Sequence, residues 1–122
     1  MAKKLTVVMV EPHKTPYVTE IADALSALQK AVGGYIEVVG NGDGTFIICN
    51  EEGKLQGLEG NRRIHDGMSV IAGTFFVVGE DGENFRSLTE SEVTRYMDRF
   101  QNPEDIDQDE VEADMGITFY SM

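Results

Sequence analysis

Only one cysteine occurs in the 122 residues, Cys49, so no internal disulfide can form and the chain suits a reducing cytoplasm. No run approaches the ~18–20 consecutive apolar residues that a bilayer span requires. The N-terminal MAKKLTVVMVEPHK carries two lysines and a short apolar run. Glu11-Pro12-His13-Lys14 then stands where a secretion signal would have small cleavage-site residues, so the run reads as a first β-strand. The motifs HExxH, GxSxG, CxxC and GxGxxG are missing, and with them the usual sequence marks of catalysis. Basic residues are scarce, ten against 22 acids, for a net charge of −12. That balance repels phosphate backbones and anionic lipid, which disfavours direct nucleic-acid binding and membrane docking.

What is present is enough apolar material for one core. At 122 residues and 41% hydrophobic content, the chain is expected to fold as one unit without metal or crosslink. Charge divides it into a domain over residues 1–102 and an acidic extension over 103–122. The extension holds seven of the 22 acids (Glu104, Asp105, Asp107, Asp109, Glu110, Glu112, Asp114) and none of the ten cations, so the rest carries −5. An acidic segment of this kind can occupy a basic groove on another protein.

Lys4 to Val10 is a near-continuous β-rich run, as expected of an interior strand. Thr15-Pro16 reads as a helix start, with Val18, Ile21, Leu25, Leu28 and Val32 as its apolar stripe and Gly33-Gly34 as its end. Tyr35–Val39 and Thr45–Cys49 read as strands joined by the turn Gly40–Gly44. Those glycines suit a hairpin; no Gly-Lys-Ser/Thr or helix start follows to make a phosphate loop. Ser69 to Gly79 reads as one central strand, with Gly73 marking a bulge or a close backbone approach. Ser87–Val93 carries a capping box, Thr89 with Glu92, and opens a helix lined by Val93, Tyr96, Met97 and Phe100 and stopped at Asn102-Pro103. The acidic extension has room for a short helix, and Gly116–Tyr120 for a late edge strand open to homodimerisation.

Four sets of residues invite a chemical reading. Asp105, Asp107 and Asp109 alternate as in a calcium loop, but Glu110 and Gly116 stand where glycine and glutamate are required, so the run reads as a solvated acidic face. His65-Asp66 lacks a matching nucleophile and reads as a loop, as does His13. Cys49 lies beside Asn50, Glu51 and Glu52, which raise a thiol pKa, and reads as a buried small hydrophobe. The stretch Thr45–Arg63 is different. It runs from an apolar strand through a glycine-spaced connection to two adjacent arginines, gathering Asn50, Lys54, Asn61, Arg62 and Arg63 at the lip of the sheet. Arginine forks suit phosphate or carboxylate, so these five are the candidate ligand-binding residues; the alternative has the arginines paired with Glu51, Glu52 or Glu59.

ALQKAVGGYIEVV, ICNEEGKLQGLEGNRR and GTFFVVGEDGENFRSLTESEV, in that order, resemble a family of small uncharacterised domains from Gram-positive bacteria, their plasmids, conjugative elements and phages. The resemblance spans roughly residues 4–100 and excludes the acidic extension. It implies a fold unit and a mobile-element setting, with no assigned activity or site residues.

The expected fold is α+β: a mixed or mostly antiparallel sheet of four to five strands with two helices on one face. The expected role is a non-enzymatic, cytoplasmic binding protein without cofactor or metal, sequestering a nucleotide-derived host signal in counter-defence. The alternative is an acidic protein-binding inhibitor or DNA mimic acting on a host defence or regulatory protein.

Overall fold

The computed structural model describes residues 3–115. Strand β1 (Lys4–Val10) carries apolar residues on both its faces because both are covered. Leu5, Val7 and Met9 are buried on one side of the sheet, and Val8 and Val10 on the other. Beside it lies β2 (Tyr17–Ala22), antiparallel, with Val18 opposite Val8 and Ile21 opposite Leu5.

Strand β2 corrects the expected helix start at Thr15-Pro16; helix α1 covers Leu25–Val32 alone. Tyr17, Val18, Thr19 and Ile21 are aromatic or β-branched, types that favour a pleated surface, and β1 supplies a partner for their backbone groups. Pro16 precedes the strand and interrupts no ladder. The end of the stripe is as expected. Leu28 and Val32 are buried, and Gly33 closes the helix in the left-handed region with its N–H on the Gln29 carbonyl at 2.8 Å.

The hairpin β3 (Ile36–Gly40) and β4 (Thr45–Asn50) forms around the Gly40–Gly44 turn as read. After β5 (Gly60–Ile64), the expected single strand at Ser69–Gly79 divides into β6 (Ser69–Ala72) and β7 (Phe75–Asp81). Gly73 makes the division. Its φ is +84°, and an added Cβ would come within 2.7 Å of Leu58 Cδ1, so conformation and space both demand glycine. Strand β7 is central: the main sheet runs β2-β1-β7-β4-β3, with β8 (Asn84–Arg86) folded back on the end of β7. Strands β5 and β6 form a separate two-stranded sheet, and every pairing in both sheets is antiparallel.

Helix α2 (Glu90–Arg99) begins with the expected capping box, Thr89 with Glu92, and α3 (Gln108–Met115) lies in the acidic extension. Leu28 and Val32 of α1 pack on the face bearing Leu5, Val7, Met9, Ile48, Phe76 and Val78. Tyr96 of α2, Phe100, and Ile64 and Ile71 of the small sheet pack on the face bearing Val8, Val10, Ile47, Phe75 and Val77. The mostly antiparallel α+β architecture is therefore as expected, but α1 and α2 lie on opposite faces rather than one. Interior strands apolar on both sides need a cover on each. The strand expected at Gly116–Tyr120 lies outside the described residues.

Candidate functional site

Asn50 ends β4 and is buried; its side-chain oxygen accepts the Glu52 N–H at 2.8 Å and its amide donates to the Val32 carbonyl at 3.2 Å. This Asx turn ties the chain leaving β4 to the end of α1. The connection then carries Lys54 to the outer side of the small sheet.

Strand β5 has an irregularity in its register between Gly60 and Arg62, which leaves Asn61 as the extra residue. Its amide donates to the Val10 carbonyl at 3.0 Å and the Gly73 carbonyl at 2.9 Å, anchoring the small sheet to β1 and to the break before β7. Beyond the bulge the strand alternates normally. Arg62 and Ile64 face the main sheet, while Gly60 and Arg63 face outward with Val70 and Ala72.

The two arginines consequently part company. Arg62 is fully buried: it donates to the Phe100 carbonyl from Nε at 3.2 Å and Nη2 at 2.8 Å, to the Lys14 carbonyl at 2.8 Å, and to Asn61 Oδ1 at 2.7 Å. Burial pulls its pKa below the ordinary arginine value, and Glu104 opposes that. Its role is to satisfy the last turn of α2 and the β1–β2 connection from within. Arg63, on the other side, forks onto Glu110 (Nε–Oε2 2.8 Å, Nη2–Oε1 2.7 Å) and reaches Glu104 at 2.9 Å. Glu110 first, then Glu104, pushes the Arg63 pKa above its ordinary value.

Lys54 pairs with Asp114, which also accepts the Val70 N–H at 3.0 Å and the Ser69 hydroxyl at 3.1 Å. Burial works to raise the Asp114 carboxyl, but the bonds from Lys54, Val70 and Ser69 outweigh it and hold the pKa below the usual value. Residues 104–114 of the acidic extension are thus seated on the small sheet. Ile106 and Val111 are buried against Val70, Ala72 and Leu58, and Asp107 caps α3 by accepting the Glu110 N–H at 3.0 Å. Asp105, Asp107, Asp109 and Glu112 remain exposed on its outer side.

Of the five sequence candidates, Lys54 and Arg63 meet across the same acidic segment, whereas Asn50, Asn61 and Arg62 are buried among backbone carbonyls and amides. The carboxylates are Glu104, Glu110 and Asp114 rather than Glu51, Glu52 or Glu59; their signal in the sequence was Glu110, Val111 and Asp114 at helical spacing. Recesses of ≈ 360 Å³ beside Lys30, Leu58 and Thr74 and of ≈ 730 Å³ between Pro16, Val93 and Met97 include none of the five. His65 and Asp66 occupy the β5–β6 turn at φ 52° and 58°, exposed to solvent. His13 Nε2 lies 2.8 Å from Glu59 Oε2. Among the described residues, no three His, Cys, Asp or Glu side chains converge as a metal site, and no helix is long and apolar enough to cross a membrane.

Fold and site together define a small α+β domain with an antiparallel sheet, a hairpin on one face and an acidic helix clasped to that hairpin. The chain belongs to the family described as Domain of unknown function (DUF3846), whose model matches residues 4–101. No curated protein and no solved structure matches it.

Proposed function

We propose that this chain is a non-enzymatic protein-binding module that presents acidic residues to a basic surface on a partner. One observation carries the reading. The acidic extension is anchored through Glu104, Ile106, Glu110, Val111 and Asp114, and its remaining carboxylates, Asp105, Asp107, Asp109 and Glu112, stand exposed over cations already neutralised beneath them. A carboxylate array held in place loses little entropy on binding, and its field steers a basic partner. In the phage or mobile-element setting that the family resemblance implies, the partner is a host regulatory or defence protein.

Nucleotide sequestration depended on available cations, and Lys54, Arg62 and Arg63 each have partners within the chain. Calorimetric titration with cyclic nucleotides and ADP-ribose derivatives is expected to give no heat; a saturable signal would favour nucleotide binding over protein binding. The protein-binding reading is tested by neutralising Asp105, Asp107 and Asp109 to Asn and Glu112 to Gln. Proteins captured by the native chain from host cells are expected to be lost with this variant, and their retention to fall steeply with added salt. Equal capture by both chains would sink the proposal.

A further inference from the structure

We infer that the outer face of the β5–β6 hairpin is a docking groove for an acidic helix with a few aliphatic anchors, filled in this chain by α3 and Ile106 just before it. The residues that receive α3 (Lys54, Gly60, Arg63, Ser69, Val70 and Ala72) all lie within the matched residues 4–101. Glu104, Ile106, Glu110, Val111 and Asp114 lie beyond them. The receiving surface therefore belongs to the domain unit, and its occupant to the extension.

The surface is selective in shape and in charge. Gly60 is flat where the helix comes nearest: an added Cβ would lie 2.8 Å from Ile106 Cβ and 3.0 Å from Val111 Cγ2. Val70 and Ala72, with Leu58 beside them, give an apolar floor for two aliphatic side chains. Arg63 offers a planar fork that fits one carboxylate in bidentate fashion, and Lys54, the Val70 N–H and the Ser69 hydroxyl converge on another. Glu110 and Asp114, which fill these two positions, are one helical turn apart. The groove thus selects an apolar residue followed by carboxylates four and eight positions later, with a second apolar residue at five; Ile106, Glu110, Asp114 and Val111 satisfy that pattern here. A basic helix would meet Arg63 and Lys54 with like charge.

The occupant in trans is the acidic helix of a partner protein, competing with α3. Tethering gives α3 an effective concentration of about millimolar, so only a partner with better contacts, or a loosened α3, allows exchange. This concerns the surface beneath α3, and the proposal above concerns the carboxylates on its outer side.

The test uses the full chain and a fluorescent peptide of residues 103–115 as the probe. Glu104→Ala with Glu110→Ala loosens α3 and leaves the groove intact; Ile106→Ala loosens it through the apolar anchor. Amide hydrogen exchange of residues 104–114 reports release, and that of β1 and β7 reports an intact core. The Ile106→Ala chain is expected to bind the peptide at least about tenfold more tightly than the native chain, and the Glu104→Ala/Glu110→Ala chain more tightly by a smaller factor, since half-exposed ion pairs hold less than a buried aliphatic side chain. Adding Gly60→Ala, whose methyl stands where Ile106 and Val111 seat, is expected to abolish the gain. Released α3 over an intact core with no gain in peptide affinity overturns the inference, as does a gain that survives Gly60→Ala. Either failure leaves the outer-face reading standing, because Asp105, Asp107, Asp109 and Glu112 are unchanged in the loosened chains and in the peptide, and capture of a basic partner is measured separately.

Discussion

Arg62 makes its hydrogen bonds to backbone and amide oxygens of Phe100, Lys14 and Asn61 in a fully buried setting. Removing it strands those acceptors away from water. Arg62→Met is expected to cost about 3 kcal/mol in urea unfolding, since each buried orphan costs roughly 1–3 kcal/mol. Cys49 is governed by burial first and by Glu37, its cross-strand neighbour, second; together they push the thiol up to about 12. The sequence pointed the same way through Glu51 and Glu52, but the acid that acts is one that only strand pairing brings near. The native thiol is expected to resist alkylation at pH 8 and to react on unfolding. Arg86 holds the Glu92 carboxyl down to about 2, helped by the Thr89 N–H and opposed by partial burial. A folded pKa below the unfolded one gives stability that is fully present above about 4.5 and is lost as pH falls towards 2. Across that window Glu92→Gln is expected to show a shallower loss of urea midpoint than the native chain. Asp43 and Asp114, also held below their usual range, leave some slope in both.

Helix α3 shows how an element with little intrinsic drive is held. Each buried aliphatic side chain contributes about 1.5–3 kcal/mol, whereas half-exposed ion pairs contribute about 0–1 kcal/mol. Ile106 and Val111 therefore supply the hold, while Arg63 and Lys54 set the register. Gly60→Ala, which intrudes on both aliphatic side chains, is expected to raise hydrogen exchange across residues 104–114 and leave the protection of β1, β4 and β7 unchanged. The cap of α2 was legible in the sequence because Thr89 and Glu92 lie within one helical turn. Strand β2 was not: Val18 and Ile21 fit a helical stripe as well as a strand, and the choice was made by β1, eight or more positions earlier in each paired register. The division at Gly73 was marked by the glycine itself, but its sharpness depends on Leu58 lying against it.

At the scale of the whole molecule, charge is distributed unevenly in use. Five of the ten cations are paired with carboxylates and Arg62 is buried, so the exterior is more one-sided than the composition alone conveys. Association with a basic partner is expected to weaken with ionic strength chiefly through slower binding, measurable by stopped flow at several salt concentrations. By itself the sequence determined the apolar interior strands, the β3–β4 hairpin, the capping box and the acidic character, and left room for a short helix past Pro103. All of these depend on residues a few positions apart or on composition. Tertiary structure alone decided that residues 17–22 pair as a strand, that the helices take opposite faces, that adjacent arginines turn to opposite sides, and that Glu104, Glu110 and Asp114 claim Arg63 and Lys54. In each of these the competing local conformations lie close in energy, and contacts between residues distant in the chain select one.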